Sequence, residues 1–307
     1  MRKNLLTIKG LLVALLAAVV MVASAMAQGT PTATASRAIA VGQGPEGVTS
    51  NGTHIFVANQ FSNTVTRLRA SDGAQAGTFA VGKCPVALAF DGAYVWVANY
   101  LSNNVMKLNP ETGATVGTFA VGEGPGGLLC ENDIIWVANR NSNTVTKLQA
   151  SNGMTVGTYE VGTRPMNLAT DGAYVYVTNN ESDTVTKLRE SNGAAVATYR
   201  VGDGPFGIAF DGAYIWVANF GDGNVIKMAT DGALIGTYGV GDGPVSAIHK
   251  DGVIYVVNNG GDSVTRLRTS DGTSLGSFPV GRSPIGVAAV GSNIWVANFG
   301  NNTVTKQ

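Results

Sequence analysis

The sequence predicts an all-β protein, a seven-bladed β-propeller with four antiparallel strands per blade, on three observations. Val-Gly recurs at Val41, Val81, Val121, Val161, Val201, Val240 and Val280, in steps of 40 residues with a single step of 39. A proline follows each copy, at Pro45, Pro85, Pro125, Pro165, Pro205, Pro244 and Pro284. An asparagine then closes an apolar run at Asn59, Asn99, Asn139, Asn179, Asn219, Asn258 and Asn298. A fixed period of this length marks a repeat architecture whose units are single supersecondary blocks.

Each unit holds four short β-prone runs between turn residues. In the second unit strands A to D are expected over residues 86–90, 94–98, 104–108 and 115–121. Asp91-Gly92 separates A from B, and Thr112-Gly113 separates C from D. The other C–D turns carry Asp72-Gly73, Asn152-Gly153, Asn192-Gly193, Asp231-Gly232 and Asp271-Gly272, pairs suited to tight left-handed hairpin turns. Strand B is apolar on both faces, as a sheet packed between two neighbours requires. Trp96, Trp136, Trp216 and Trp295 share one strand B position with Phe56, Tyr176 and Tyr255, which predicts blade-packing core rather than a stacking platform.

Four-stranded units can stack as a solenoid or close as a ring. The last unit stops after strand C, at residues 302–306, while RAIAV at 37–41 matches the strand D sequence GTFAV at 77–81. A ring uses that split, closing 3+1 when the N-terminal strand completes the last blade.

Tyr176-Val177-Thr178-Asn179 spells the signature of one repeat group. Over residues 37–306 the chain resembles the YVTN-type β-propeller repeat proteins, with NHL-repeat propellers and the streptogramin lyases as related groups. The resemblance implies the fold and leaves function open, because propellers host many unrelated roles. Likeness to the virginiamycin B lyase-like enzymes implies an alternative activity, a magnesium-dependent carbon–oxygen lyase with a histidine-containing site. The chain has only His54 and His249, both at the A–B end of their blades, so no catalytic residue is carried over.

The N-terminus predicts a cleaved signal peptide over residues 1–27. Arg2, Lys3 and Lys9 precede an apolar stretch at 11–22, and Ala25-Met26-Ala27 forms the processing site. Gln28 stands where a lipid anchor would need cysteine. Residues 28–36 read as a linker and 37–307 as the propeller, giving an exported protein, periplasmic or secreted, with no membrane span after cleavage. Cys84 and Cys130 fall six residues apart in the repeat frame, too far along a strand to pair. Cys130 is expected in the core and Cys84 as a free thiol.

Twenty basic residues balance twenty acidic ones, which disfavours nucleic acid as a partner. With 45% hydrophobic and 13% charged residues, the chain is not a disordered polar segment. There is no Ser/His/Asp set, no zinc cluster and no phosphate-cradling loop, so neither a catalytic set nor a metal site is expected.

In such blades the D–A and B–C loops share one face, and variation concentrates there. The candidate binding residues are Phe61, Tyr100, Arg140, Glu181, Phe220 and Phe299 in the B–C loops, with Lys83, Glu123, Arg164, Asp203, Asp242 and Arg282 in the D–A loops. Variable loops on a rigid frame are where binding concentrates. The expected role is a monomeric, non-enzymatic scaffold that binds a protein, glycan or cell-envelope component without a cofactor. Phe61 and Arg140, taken singly, read as ordinary surface. Under the lyase alternative, Glu46, Glu123, Asp203 and Asp242 would ring a magnesium ion, with Lys83 and Arg282 interrupting the ring. The repeated asparagines point to the fold instead, since a fold needs the same turn seven times.

Overall fold

A computed structural model describes residues 37–307; the expected signal peptide and linker lie outside the described residues. The described chain forms seven four-stranded antiparallel sheets. Six are consecutive A–B–C–D meanders. The seventh joins the two ends of the chain: Arg37–Ala40 pairs with Thr303–Lys306, in register from Arg37 opposite Lys306 to Ala40 opposite Thr303. The ring therefore closes 3+1. Among the described residues no helix is long and apolar enough to cross a membrane.

Strand A of each blade packs beside strand A of the next, around the axis. Strand B is buried throughout, as in Ile134–Asn139, and strand D alternates on the outer rim, as in Thr155–Glu160. The core is accordingly a series of layers between blades. Trp136, for example, packs with Leu168, Val175, Val177 and Leu188 of the following blade. Trp96, Trp136, Trp216 and Trp295 are fully buried.

Polar groups tie the layers together. Asp91 accepts backbone N–H groups from Ala93 and Tyr94 through Oδ1, and the Trp96 indole N–H through Oδ2 at 2.7 Å. Lys107 rests over the Tyr94 ring and donates to the Ala150 carbonyl of the next blade at 2.6 Å. Lys147, Lys187, Lys227 and Lys306 repeat this reach to the next C–D turn. The cation is buried, yet its hydrogen bond and the aromatic face offset its desolvation.

In the C–D turns only one residue of each expected left-handed pair takes that conformation. The Gly73 N–H donates to the Arg69 carbonyl, and the Arg69 N–H donates to the Ala74 carbonyl, so four residues make the loop. Only the glycine is left-handed, at φ 74°, while the Asp72 carboxylate accepts from the Ala74 N–H. In the fifth blade the turn closes from Ala229 to Gly232, one residue shorter, which accounts for the 39-residue step.

Candidate functional site

The D–A and B–C loops meet on one face through a repeated brace. The Gln60 and Phe61 N–H groups donate to the Gly44 and Gln43 carbonyls, a pattern that recurs in every blade. Ser62 accepts the Gln43 N–H within the blade, and Asn63 accepts the Cys84 N–H of the next blade. The inter-blade contact repeats at Asn103, Asn143, Asp183, Asp262 and, across the seam, Asn302. Gly223 breaks the series in the fifth blade. The third position accepts the D–A loop N–H in five blades and the fourth in six, while the first two positions vary.

The repeated asparagines sit beneath this brace and are fully buried. Asn59 donates through Nδ2 to Thr64 and Thr66 hydroxyls at 3.1 and 2.9 Å, and Asn139, Asn179, Asn258 and Asn298 make the equivalent pair of bonds. Asn99 and Asn219 donate instead to Asn104 and Asn224.

The first variable position is buried or half-buried in every blade but the fifth, and the second is exposed in all seven. Phe61 is 57% exposed and Leu101 64% exposed, both at second positions. The Phe61 ring meets Phe299 of the neighbouring blade edge-on, 5.4 Å between centroids, over Gly44, where a side chain would collide with both. Tyr100 donates its hydroxyl to Asn141 at 3.1 Å, and Arg164 pairs with Glu181 at 3.0 Å. Phe220 is exposed beside Gly243. Lys83, Glu123, Asp203, Asp242 and Arg282 are exposed on separate D–A loops, and among the described residues none forms an ion pair.

Arg140 departs from the surface position expected of it. Its side chain is 9% exposed and turns into the axial cavity, because Gly126 leaves room where the other blades carry a side chain. There Arg140 Nη2 donates to the Gly126 carbonyl at 3.1 Å and lies 3.6 Å from Glu46 Oε1. Gln60 donates to Glu46 Oε2 at 3.2 Å. Tyr100 and Phe206 present their rings to the guanidinium at 5.8 and 5.9 Å. Glu46 is 7% exposed, and its burial pushes the carboxyl pKa up against the opposing pull of Arg140. The ladder slips after each proline, as between Pro45 and Val48, and residues Glu46, Val86 and Gly126 at that slip line the cavity. Its volume is about 230 Å³.

Glu46 therefore does not join Glu123, Asp203 and Asp242 in an exposed ring. Among the described residues no group of three His, Cys, Asp or Glu side chains converges on a metal position. His54 lies against Thr53, and His249 accepts the Gly252 N–H, both at A–B turns. Cys84 and Cys130 are free thiols, and burial pushes each up to about 11. Cys130 is half-buried rather than enclosed in the core.

A feature the pattern of residues concealed is the backbone before each proline. Gly44, Cys84, Gly124, Arg164, Gly204, Gly243 and Ser283 are all left-handed, with φ between 48° and 64°. Three of them are not glycine. Single apolar residues, also unforeseen, are exposed on or beside the outer strands of four blades: Val116, Met154, Val156, Val196, Leu234 and Ile235.

Seven sheets of four strands around an axial cavity, written in a 40-residue repeat, define a seven-bladed β-propeller repeat protein. No family model matches the chain, and no curated protein matches it. Solved structures share its fold. A streptogramin B lyase structure superposes with a TM-score of 0.77 at 18% identity, over 88% of this chain and 96% of that one. A catalytically inactive virginiamycin B lyase from Staphylococcus aureus, solved with quinupristin, gives 0.77 at 17% identity, over 88% and 98%. Hydrazine synthase from Kuenenia stuttgartiensis gives 0.78 at 20% identity, over 92% and 99%. At these identities the likeness is one of fold.

Proposed function

We propose that this protein is an exported, non-enzymatic scaffold that binds a protein, glycan or cell-envelope component through its D–A and B–C loop face. The observation that carries this reading is the brace: a constant backbone frame carries residues that differ from blade to blade, two positions per loop, three of the second positions being glycine. Exposed Phe61, Leu101 and Phe220 with neighbouring charges form a mixed aromatic and polar surface of the kind binding interfaces use. The opposite face offers mainly Asp-Gly and Asn-Gly turns. Export rests on the sequence of residues 1–27.

The test is capture from a cell-envelope fraction by wild-type protein and by a Phe61→Ala, Tyr100→Ala, Phe220→Ala triple variant with an unchanged melting curve. The triple variant is expected to lose the partner. A partner retained by it, and lost instead on changing Met154 and Leu234 to serine, would move the interface to the outer strands. Magnesium-dependent turnover of a cyclic depsipeptide would replace the scaffold reading with the lyase one.

A further inference from the structure

We infer that the mouth of the axial cavity is a binding site for a small organic carboxylate, held by Arg140 in competition with Glu46. The inference rests on the loop-face reading and names the ligand chemistry at its centre. It starts from a surplus of donors. Arg140 carries five N–H groups in a planar fork, and burial removes water as their partner. One nitrogen, Nη2, donates to the Gly126 carbonyl, and its separation from Glu46 is 3.6 Å. That is well beyond the roughly 2.7–2.9 Å of a charge-assisted hydrogen bond. Nε is buried and has no hydrogen-bond partner. The guanidinium is thus placed, enclosed and under-used.

The walls set the rest of the ligand. Phe206, Val86, Leu128 and Val245 give the cavity apolar sides. A volume of about 230 Å³ is smaller than the roughly 300 Å³ at which drug-sized pockets begin. It suits a compact acid with one apolar group. A single cation beside a carboxylate favours a monoanion over a phosphate, whose second charge Glu46 would repel. The planar fork of arginine matches a carboxylate in two bonds.

Glu46 makes the site selective by protonation. Two carboxylates beside one guanidinium leave a buried negative charge, which a proton on Glu46 removes. Burial already favours that proton. The nearby groups that bear charge or titrate are Arg140 and the Cys84 thiol, and the latter, pushed up to about 11, stays neutral. Carboxylate binding should therefore take up a proton and strengthen as the solution is acidified.

Calorimetry of the purified protein with phenylacetate and its uncharged analogue phenylacetamide tests this. Phenylacetate is expected to bind with proton uptake, and phenylacetamide is expected to give no heat. Glu46→Gln removes the competing charge and should tighten phenylacetate binding by about tenfold at neutral pH, leaving no pH dependence above the range in which phenylacetate itself is protonated. Adding Arg140→Gln to that variant leaves a neutral, similarly sized pair and should abolish binding. Equal binding of acid and amide, no binding to either wild type or Glu46→Gln, or undiminished binding to the double variant would each overturn the inference. Envelope capture that depends on Phe61 and Phe220 while phenylacetate fails to bind would overturn this inference alone. Phenylacetate binding without that dependence would overturn the loop-face reading alone.

Discussion

Glu46 and Arg140 carry opposite charges where neither is well hydrated, and the pair has a predictable effect on stability. Burial holds the Glu46 carboxyl above its ordinary 4.5, with Arg140 opposing. Between 4.5 and the raised folded value, the native state keeps a proton that the unfolded chain has released. Stability contributed by this group is therefore present at low pH and lost as pH rises through that window. Thermal melts across the acid range should differ between wild type and Glu46→Gln by this contribution, the variant gaining less from acidification. Arg140→Met, which strands the carboxylate, should cost about 3–5 kcal/mol near neutral pH by chemical denaturation. A second expectation concerns backbone strain. Cys84 and Ser283 hold a left-handed conformation that costs non-glycine residues about 1–2 kcal/mol. Ser283→Gly should raise stability by up to about 1 kcal/mol once the greater freedom of an unfolded glycine is subtracted. The sequence placed Arg140 correctly in a B–C loop but not in the cavity. Its direction depends on a missing side chain at Gly126 in another strand, and no local pattern encodes that.

At the level of strands and turns the repeat was legible almost residue by residue. Strand C of the second blade spans Asn104–Leu108 as expected, and strand D spans Thr115–Ala120. Periodicity and turn residues decide such boundaries locally. The Asp-Gly pairs were legible as turns but not as caps. Asp91, Asp171 and Asp211 also hold the buried Trp96, Tyr176 and Trp216, a role visible only when strands A and B are side by side. Where Glu131 replaces the aspartate, the Trp136 indole N–H is buried without a partner. The lysine latches belong to the same class of long-range contact. Lys107→Met should leave the Ala150 carbonyl unpaired and lower stability by about 1–3 kcal/mol. Gly153→Ala should be comparably damaging, because the new methyl would strike the Phe119 ring of the preceding blade from a left-handed backbone.

Closure is the property of the whole ring, and the missing strand D in the last unit was enough to anticipate it. The seam is fastened as the other junctions are: Lys306 donates to the Ala70 and Ser71 carbonyls, and Arg37 donates to the Asp72 carbonyl. Deleting residues 35–41 removes one strand of the seventh sheet and bares its core residue Ile39's neighbours, Ile55 and Trp295. The melting temperature of the entire domain should fall sharply in differential scanning calorimetry; an unchanged transition would contradict closure by this strand. The identity of any partner was not legible, because the residues that differ from blade to blade at the loop face follow no pattern that names a ligand.

The brace under the loop face also bears on how such a molecule can change. Ser62 and Asn63, with most of their counterparts, brace the loops through side chains, while the two residues before them contribute through backbone N–H groups. If the face binds as proposed, the exposed second letter can be rewritten in one blade while the other six keep their contacts. The ring is in this sense a display of seven exchangeable sockets. Drift or design can then explore new specificities one socket at a time, with least risk to the fold at the exposed second position.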